Sequence, residues 1–180
     1  ILGSTGSIGK TTIKLFKNNL KKFEIVLITT NKNINELSKQ IKNFKVKNVL
    51  ITDYKKFIYF KKKVKNKKIN VYNNIDSVNK ILNKKVDYTM CAISGIQGLK
   101  PTLDAITYSK KIAIANKESI ICGWNLIKKK LYAHKTKFVP VDSEHFSIWS
   151  LIENTEKDKI DKIYLTASGG PFLNWTKKKI

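Results

Sequence analysis

Arginine is absent from this 180-residue chain: all 36 of its basic residues are lysine, set against 13 acidic ones, for a formal charge of +23. The planar guanidinium of arginine is the preferred reader of guanine edges and a bidentate partner for phosphate. A dedicated nucleic-acid reader without it would be anomalous, so no specific nucleic-acid partner is expected, although charge alone attracts any polyanion. Lysine shares A/T-rich codons with the abundant Asn, Ile, Tyr and Phe. The charge therefore reads as compositional drift, and runs such as Lys61-Lys62-Lys63 and Lys128-Lys129-Lys130 as solvated surface rather than a binding stripe. Cysteine is scarce too. Cys91 and Cys122, in a chain long enough to bury its own core, exclude a disulfide framework and suit a reduced, intracellular setting. No apolar run reaches the roughly 20 residues that cross a bilayer, so no membrane partner is expected. The chain opens at Ile1 rather than Met and enters a motif at once, so upstream residues, with any targeting region, are expected to be missing from it.

What is present is a globular composition, 42% hydrophobic, with no internal repeat. Strand-like and helix-like segments alternate, which is the pattern of a Rossmann-like, doubly wound parallel sheet in the α/β class. Ile1-Leu2 ends a first strand, and a helix runs from about Ser7 to Asn19. Glu24–Thr30 is a second strand, and the spacing of Ile34, Leu37, Ile41 and Phe44 predicts a helix. Further strands are expected at Val49–Ile51, Ile69–Tyr72, Val86–Ile93, Ile112–Ala115, Phe138–Val141 and Ile163–Ala167. Helices are expected at Pro101–Ser109, with its Pro in the tolerant first turn, and at Ser119–Leu131.

Gly3-Ser4-Thr5-Gly6-Ser7-Ile8-Gly9 joins the first strand to the first helix. Glycines there let backbone amides approach a pyrophosphate, and the helix N-terminus favours its negative charge. Gly9-Lys10-Thr11 offers a rival reading as the end of a P-loop. That motif needs a glycine where Ser4 stands, so the register fails. A NAD site usually carries an acidic residue at the end of the second strand. Here the chain reads Thr30-Asn31-Lys32-Asn33, and an amide and a cation suit the 2′-phosphate of NADPH. Three further clusters fall at strand ends, where open parallel sheets bind ligands: Ser94–Gly98, Ala115–Glu118 and Asp142–Glu144. Thr166–Phe172 ends the last expected strand with a hydroxyl and two glycines, either an anion-binding turn or a plain glycine turn.

Pro140–His145 admits two readings. In an extended segment Asp142 and Glu144 share a face, and paired carboxylates call for a hard divalent cation. Equally, Asp142 or Ser143 ahead of Phe146, Ile148 and Trp149 is a helix start. His145 either shapes such a metal site or caps and packs the helix.

The segments GSTGSIG, ANKES, PVDSEH and ASGGPF, in this order and spacing, closely resemble the 1-deoxy-D-xylulose 5-phosphate reductoisomerase family over essentially the whole chain. The resemblance implies an oxidoreductase of the non-mevalonate isoprenoid pathway. It would convert 1-deoxy-D-xylulose 5-phosphate to 2-C-methyl-D-erythritol 4-phosphate with NADPH and Mg2+ or Mn2+. It further implies that Thr5, Gly6, Ser7 and Ile8 line the NADPH pyrophosphate and that Asn31, Lys32 and Asn33 hold the adenosine end. Asn116 and Glu118 would lie toward the nicotinamide. Lys117, Ser143, Glu144 and Ser168 would contact the sugar phosphate, and Asp142 and Glu144 would ligate the metal. Lys117, Asp142 and Glu144 would carry the catalysis. The family often has Gly in place of Asn31 and Gly or Ser in place of Ala167. It also continues beyond Ile180 with a third metal carboxylate, a mobile loop and further phosphate ligands. The expected organisation is an NADPH-binding domain over residues 1–141 and the start of an α+β catalytic domain over 142–180. The fragment is expected to bind cofactor without turnover, and the full-length protein to be a homodimer. The resemblance places it in the cytoplasm of a bacterium or in a plastid-type organelle.

Overall fold

In the computed structural model, which describes residues 1–165 apart from 18, 20, 21, 66, 67, 75, 77 and 83, the chain divides into two units, Ile1–Val139 and one that begins at Pro140. The first alternates strand and helix as its apolar pattern requires. In order come α1 (Ser7–Lys17), β1 (Leu27–Thr30), α2 (Ile34–Phe44), β2 (Asn48–Ile51), α3 (Tyr54–Lys63) and β3 (Asn70–Tyr72). Then follow α4 (Val78–Ile81), β4 (Val86–Cys91), α5 (Leu99–Thr107), β5 (Ser109–Ile114), α6 (Lys117–Ala133) and β6 (Lys137–Pro140). β1, β2 and β3 pair in that order in parallel; β4, β5 and β6 form a second ladder in that order, with β4 and β5 parallel.

Two residues join the ladders. Ile1 N donates to Leu27 O (2.7 Å) while Ile1 O accepts from Thr29 N (3.1 Å). On the other side, Leu2 N donates to Met90 O and Leu2 O accepts from Ala92 N, both at 2.8 Å. Each residue bonds to the two neighbours of its partner, which is the parallel pattern. The opening segment is thus a short central strand, and the order becomes β3-β2-β1-opening-β4-β5-β6. The strand order reverses at this segment, and ligands of such sheets bind at that switch point, outside the C-terminal strand ends.

Alternation assigns the two faces. Leu27 and Leu50 pack with Val78, Ala105, Ile106 and Ile127 of α4, α5 and α6. Ile28, Val49 and Ile51 pack with Ile13, Ile34, Leu37 and Phe60 of α1, α2 and α3. Both faces are covered by helices, which is why the strands read as continuous apolar runs.

Several boundaries differ from expectation for local reasons. β1 starts at Leu27 rather than Glu24, because its partner β2 begins only at Asn48, opposite Leu27. β4 ends at Cys91, not Ile93, and the predicted helix at Pro101 begins earlier, at Leu99. Ser109 opens β5 instead of closing α5. Its hydroxyl is buried between Thr89 Oγ1 (2.7 Å) and Ala105 O (2.6 Å), and Lys110 pairs across the ladder with Asp87 (2.8 Å). The helix predicted from Ser119 starts at Lys117, capped by Asn116. α3 and α4 were not foreseen. α3 carries five lysines in its ten residues, which mask the buried Phe60 and, just beyond the helix, Val64. The strand expected at Ile163–Ala167 is not formed over 163–165, whose apolar side chains are exposed with no strand beside them among the described residues; the remainder lies outside them.

In the second unit, Ser143–Ile152 forms α7, followed by a 3-10 turn at Lys157–Lys159. No residue of α7 is buried within the described chain, and Phe146 and Trp149 pack ring to ring at 5.6 Å.

Candidate functional site

The glycine-rich turn is held from three directions. Gly3 adopts φ +76, and a β-carbon there would lie 2.6 Å from Ala92 O, so only glycine fits between the opening segment and the end of β4. At Gly9 a β-carbon would lie 2.3 Å from Gly3 O and 2.6 Å from Ser4 Cα; the helix is seated directly on the turn. Gly6 is different. Its φ is ordinary, and a β-carbon would meet only Gly3 O at 3.5 Å and Ala92 O at 3.8 Å. Packing does not demand glycine at position 6, so its smallness leaves room for something the protein itself does not supply. The amides of Ser7, Ile8 and Gly9 have no acceptor among the described residues, as at any helix N-terminus, and Gly6, Ser7 and Ile8 are exposed.

Beneath the turn, Ser4 is fully buried. Its N–H donates to Thr29 O (2.9 Å), its hydroxyl to Gln40 Oε1 (2.7 Å), and its carbonyl accepts from Gln40 Nε2 (2.9 Å). The Thr5 and Thr30 hydroxyls hydrogen-bond to each other at 2.6 Å, and Gly3 N donates to Thr29 Oγ1 (2.8 Å). Gln40 was missed in the sequence. The signal was there: an amide on the apolar stripe of α2, between Leu37 and Phe44.

At the end of β1, Asn31 Nδ2 donates to Thr52 Oγ1 (2.7 Å), and Asn33 caps α2 by accepting from Glu36 N (3.1 Å). Lys32 is exposed and makes no ion pair among the described residues. The turn after β4 has Gly95 at φ +73, facing open space, and Gly98, where a β-carbon would meet Asn116 Nδ2 at 2.3 Å. Asn116 is 4% exposed. Its Oδ1 accepts from Ser119 N (2.9 Å), and its Nδ2 donates to Ile93 O and to Gly95 O, the latter at 2.6 Å. Both of its amide hydrogens are spent on fixing the Ser94–Gly98 turn. Lys117 and Glu118 follow it as exposed residues of the first turn of α6.

A cavity of about 400 Å³ opens at these strand ends, lined by Thr29, Leu50, Thr52, Asn73, Ile93, Gln97, Lys100 and Pro101 among others. Lys100 edges it and is held by Asp76 (2.9 Å) and Asp104 (2.8 Å), which push its ammonium up to about 12, Asp104 first. A slightly larger hollow, about 430 Å³, lies at the opposite end of β1 and β2, by Phe23 and Phe44. The switch-point rule favours the first.

In the second unit the alternation argument fails. Asp142 is extended (φ −67, ψ 153), but the helix begins at Ser143, so Glu144 is already helical and strand periodicity does not relate the two carboxylates. Asp142 is the N-cap. Its Oδ1 accepts from His145 N (3.0 Å) and lies 2.5 Å from His145 Nδ1. Partial burial pushes this carboxyl up, but the hydrogen bonds and charge from His145 outweigh it and hold the group below the usual range. Asp142 Oδ2 and the exposed Glu144 carboxylate remain as hard oxygen donors of the kind that suits Mg2+ or Mn2+. Among the described residues no cluster of three or more potential ligands forms. Ser168 lies outside the described residues.

The sequence matches the family described as 1-deoxy-D-xylulose 5-phosphate reductoisomerase over residues 1–123, and that family's C-terminal domain over residues 138–180. The chain belongs to the 1-deoxy-D-xylulose 5-phosphate reductoisomerase family. A reductoisomerase of that name from Pelagibacter ubique is 62% identical over 181 residues, covering 99% of this chain and 47% of the relative. One from Thermotoga maritima is 39% identical, covering 100% of this chain and 45% of its own length. Among solved structures, the Zymomonas mobilis enzyme in complex with NADPH superposes with a TM-score of 0.87 at 34% identity, over 99% of this chain and 47% of that one. A reductoisomerase bound to NADPH, fosmidomycin and magnesium gives 0.83 at 27% identity, over 99% and 47%. The chain spans about half the length of the curated relatives it matches. The expectation of a Rossmann-like α/β fold is met.

Proposed function

We propose that this chain is the cofactor-binding part of a reductoisomerase that converts 1-deoxy-D-xylulose 5-phosphate to 2-C-methyl-D-erythritol 4-phosphate with NADPH and a divalent metal. The observation that carries the reading is the opening turn: three unpaired amides beside a glycine, Gly6, that protein packing leaves uncrowded, at the switch point of the sheet. Thr5, Gly6, Ser7 and Ile8 bind the pyrophosphate. Lys32 meets the 2′-phosphate with a free cation, flanked by Asn31 and Asn33. The cavity beside Leu50, Ile93 and Pro101 takes the flat base. Asn116 acts through the turn it fixes rather than through a free amide, with Glu118 toward the nicotinamide.

Residues 1–141 form the NADPH-binding domain and 142–180 begin the catalytic one. Asp142 and Glu144 hold the metal, and Lys117, Ser143, Glu144 and Ser168 hold the sugar phosphate. When bound, the divalent ion polarises the substrate's carbonyl and hydroxyl oxygens, and NADPH supplies hydride. Lys117 anchors substrate oxygens and balances developing charge. His145 holds Asp142 ionised and oriented, as a neighbour of a metal ligand commonly does. The whole protein is read as a homodimer, and as a protein of the bacterial cytoplasm rather than of a plastid-type organelle, the relatives named above being bacterial.

The test has two arms. Titration of the 180-residue chain with NADPH, followed by nicotinamide fluorescence, should give saturable binding tighter than for NADH. The full-length protein should oxidise NADPH in the presence of 1-deoxy-D-xylulose 5-phosphate and Mn2+, while residues 1–180 alone should not. Failure to bind NADPH, or equal affinity for NADH, overturns the cofactor assignment.

A further inference from the structure

The buried amide of Gln40 sits one layer below the turn and touches none of its exposed atoms, yet it fixes the direction of one of them. Gln40 is 3% exposed. Its Nε2 donates to Ser4 O at 2.9 Å and its Oε1 accepts the Ser4 hydroxyl at 2.7 Å. The assignment of the two ends is forced, since a carbonyl such as Ser4 O can only accept. Glu36 Oε1, 3.3 Å from Nε2, takes the second amide hydrogen.

The Ser4–Thr5 peptide is trans and planar, so its C=O and the N–H of Thr5 point in opposite directions. Holding Ser4 O inward, toward Gln40, turns the Thr5 N–H outward, toward the open side of the turn. That N–H has no acceptor among the described residues. Without Gln40 the plane loses the bond that holds it, and Ser4 O would have to find another donor in a buried site.

We propose that Gln40 is a positioning residue for the dinucleotide: by clamping the Ser4 carbonyl from below, it aims the Thr5 amide at the pyrophosphate. This rests on the cofactor reading above. It also makes α2 a link between the two phosphate-binding ends, because the same helix begins at Asn33, beside Lys32.

The experiment measures affinities of the 180-residue chain for NADPH and for adenosine 2′-phosphate, which lacks the pyrophosphate. Gln40→Leu keeps the volume and removes both hydrogen bonds to Ser4, together with the longer one to Glu36. Ser4→Ala removes the hydroxyl's contacts with Gln40 Oε1 and Thr29 O and keeps the carbonyl clamp. Gln40→Leu should weaken NADPH by about tenfold or more, the loss of one charge-assisted hydrogen bond, and leave adenosine 2′-phosphate within about twofold. Ser4→Ala should leave both nearly unchanged. Should Gln40→Leu fail to fold, Gln40→Glu provides the second readout. An ionised carboxylate cannot donate to Ser4 O, whereas a protonated one can. Its NADP+ affinity, relative to wild type at each pH, should therefore be poor at pH 8 and recover as the pH falls toward about 5. Equal losses for NADPH and adenosine 2′-phosphate, or a Gln40→Glu deficit that does not change with pH, would reduce Gln40 to a packing residue and overturn the proposal. Wild-type protein that binds neither probe would instead overturn the cofactor reading on which it rests.

Discussion

Two glycines three residues apart in the same turn should respond oppositely to the same substitution. Gly9 lies in α1 with ordinary helical backbone, so on propensity alone Gly9→Ala would stabilise by up to about 1 kcal/mol. The added methyl, however, would lie 2.3 Å from Gly3 O, 2.6 Å from Ser4 Cα and 2.7 Å from Ser4 C. All three are backbone atoms of a turn that is itself fixed, Ser4 by Thr29 and Gln40 and Gly3 by the close approach of Ala92. No side chain can swing aside, so the helix must lift off the turn. Overpacking of this kind costs about 1–3 kcal/mol, more where backbone must move, so a net loss of about 3 kcal/mol is expected. For a chain of this size that lowers the melting temperature by about 6–12 °C. At Gly6 the nearest atom to an added methyl is 3.5 Å away, and the backbone is not left-handed. Gly6→Ala should therefore melt at or slightly above the wild-type temperature, through the reduced freedom of the unfolded chain. Its cost appears only with ligand, where the methyl occupies the path of the pyrophosphate, and NADPH affinity should fall by tenfold or more, about 1.4 kcal/mol. Thermal denaturation by circular dichroism and NADPH titration of both variants separate the two effects. A Gly6→Ala variant that binds NADPH like wild type would show that the turn is not the phosphate site. A Gly9→Ala variant as stable as wild type would show that α1 is not seated on the turn as described.

Three further outcomes are expected. Lys32→Glu should weaken NADPH selectively while leaving NADH nearly unchanged, measured as the ratio of the two dissociation constants; an unchanged ratio removes Lys32 from the 2′-phosphate site. Burial pushes the Cys91 thiol up to about 11, Thr102 opposing it only in part, whereas Cys122 is exposed, so iodoacetamide at pH 8 should modify Cys122 alone in the folded chain. Because the folded value lies above the unfolded one, Cys91 contributes its full stability below about pH 8.5 and loses on the order of 2–3 kcal/mol of it as the pH rises toward 11; in urea melts across that range wild-type stability should fall more steeply with pH than that of Cys91→Ala, and parallel curves would contradict the burial argument. Asp142→Ala should destabilise α7 by about 1 kcal/mol through the lost cap and, in the full-length enzyme, abolish metal-dependent turnover, whereas Asp142→Asn should keep most of the cap and still lose turnover; full activity in either variant removes Asp142 from the metal site.

Much of this fold is written in periodicity. β1, β2 and the C-terminal halves of β4 and β5 are buried on both faces because helices cover both faces, and α2 shows a clean stripe from Ile34 to Phe44. The glycine turn was legible because Gly3 and Gly9 are required by close backbone approach, a constraint that survives in spacing. Three things were hidden, each for a physical reason. α3 was obscured because lysines crowd its exposed positions and leave only Phe60 fully buried within it. The start of β5 was hidden because Ser109 and Lys110 are polar; what makes them strand is a buried hydroxyl bond to Thr89 and a cross-strand pair with Asp87, neither of which local sequence encodes. The Gln40 clamp joins residues 36 apart in sequence, and only the fold brings an amide on the α2 stripe beneath the turn.

The Pro140–His145 segment shows where pattern and chemistry part company. Alternation offered a geometric reason for Asp142 and Glu144 to act together, and that reason is wrong, because the chain turns helical at Ser143. The chemical reason survives the loss of the geometric one. An N-cap carboxylate must be ionised to accept well from the helix amides, and the bonds from His145 keep it so, against the opposing effect of its partial burial. An ionised carboxylate with one oxygen committed to the cap is oriented by the helix itself, and its second oxygen can serve a cation without breaking the first contact. Capping and metal ligation are then complementary rather than rival roles. The helix spends one lone-pair direction of Asp142 to fix the other.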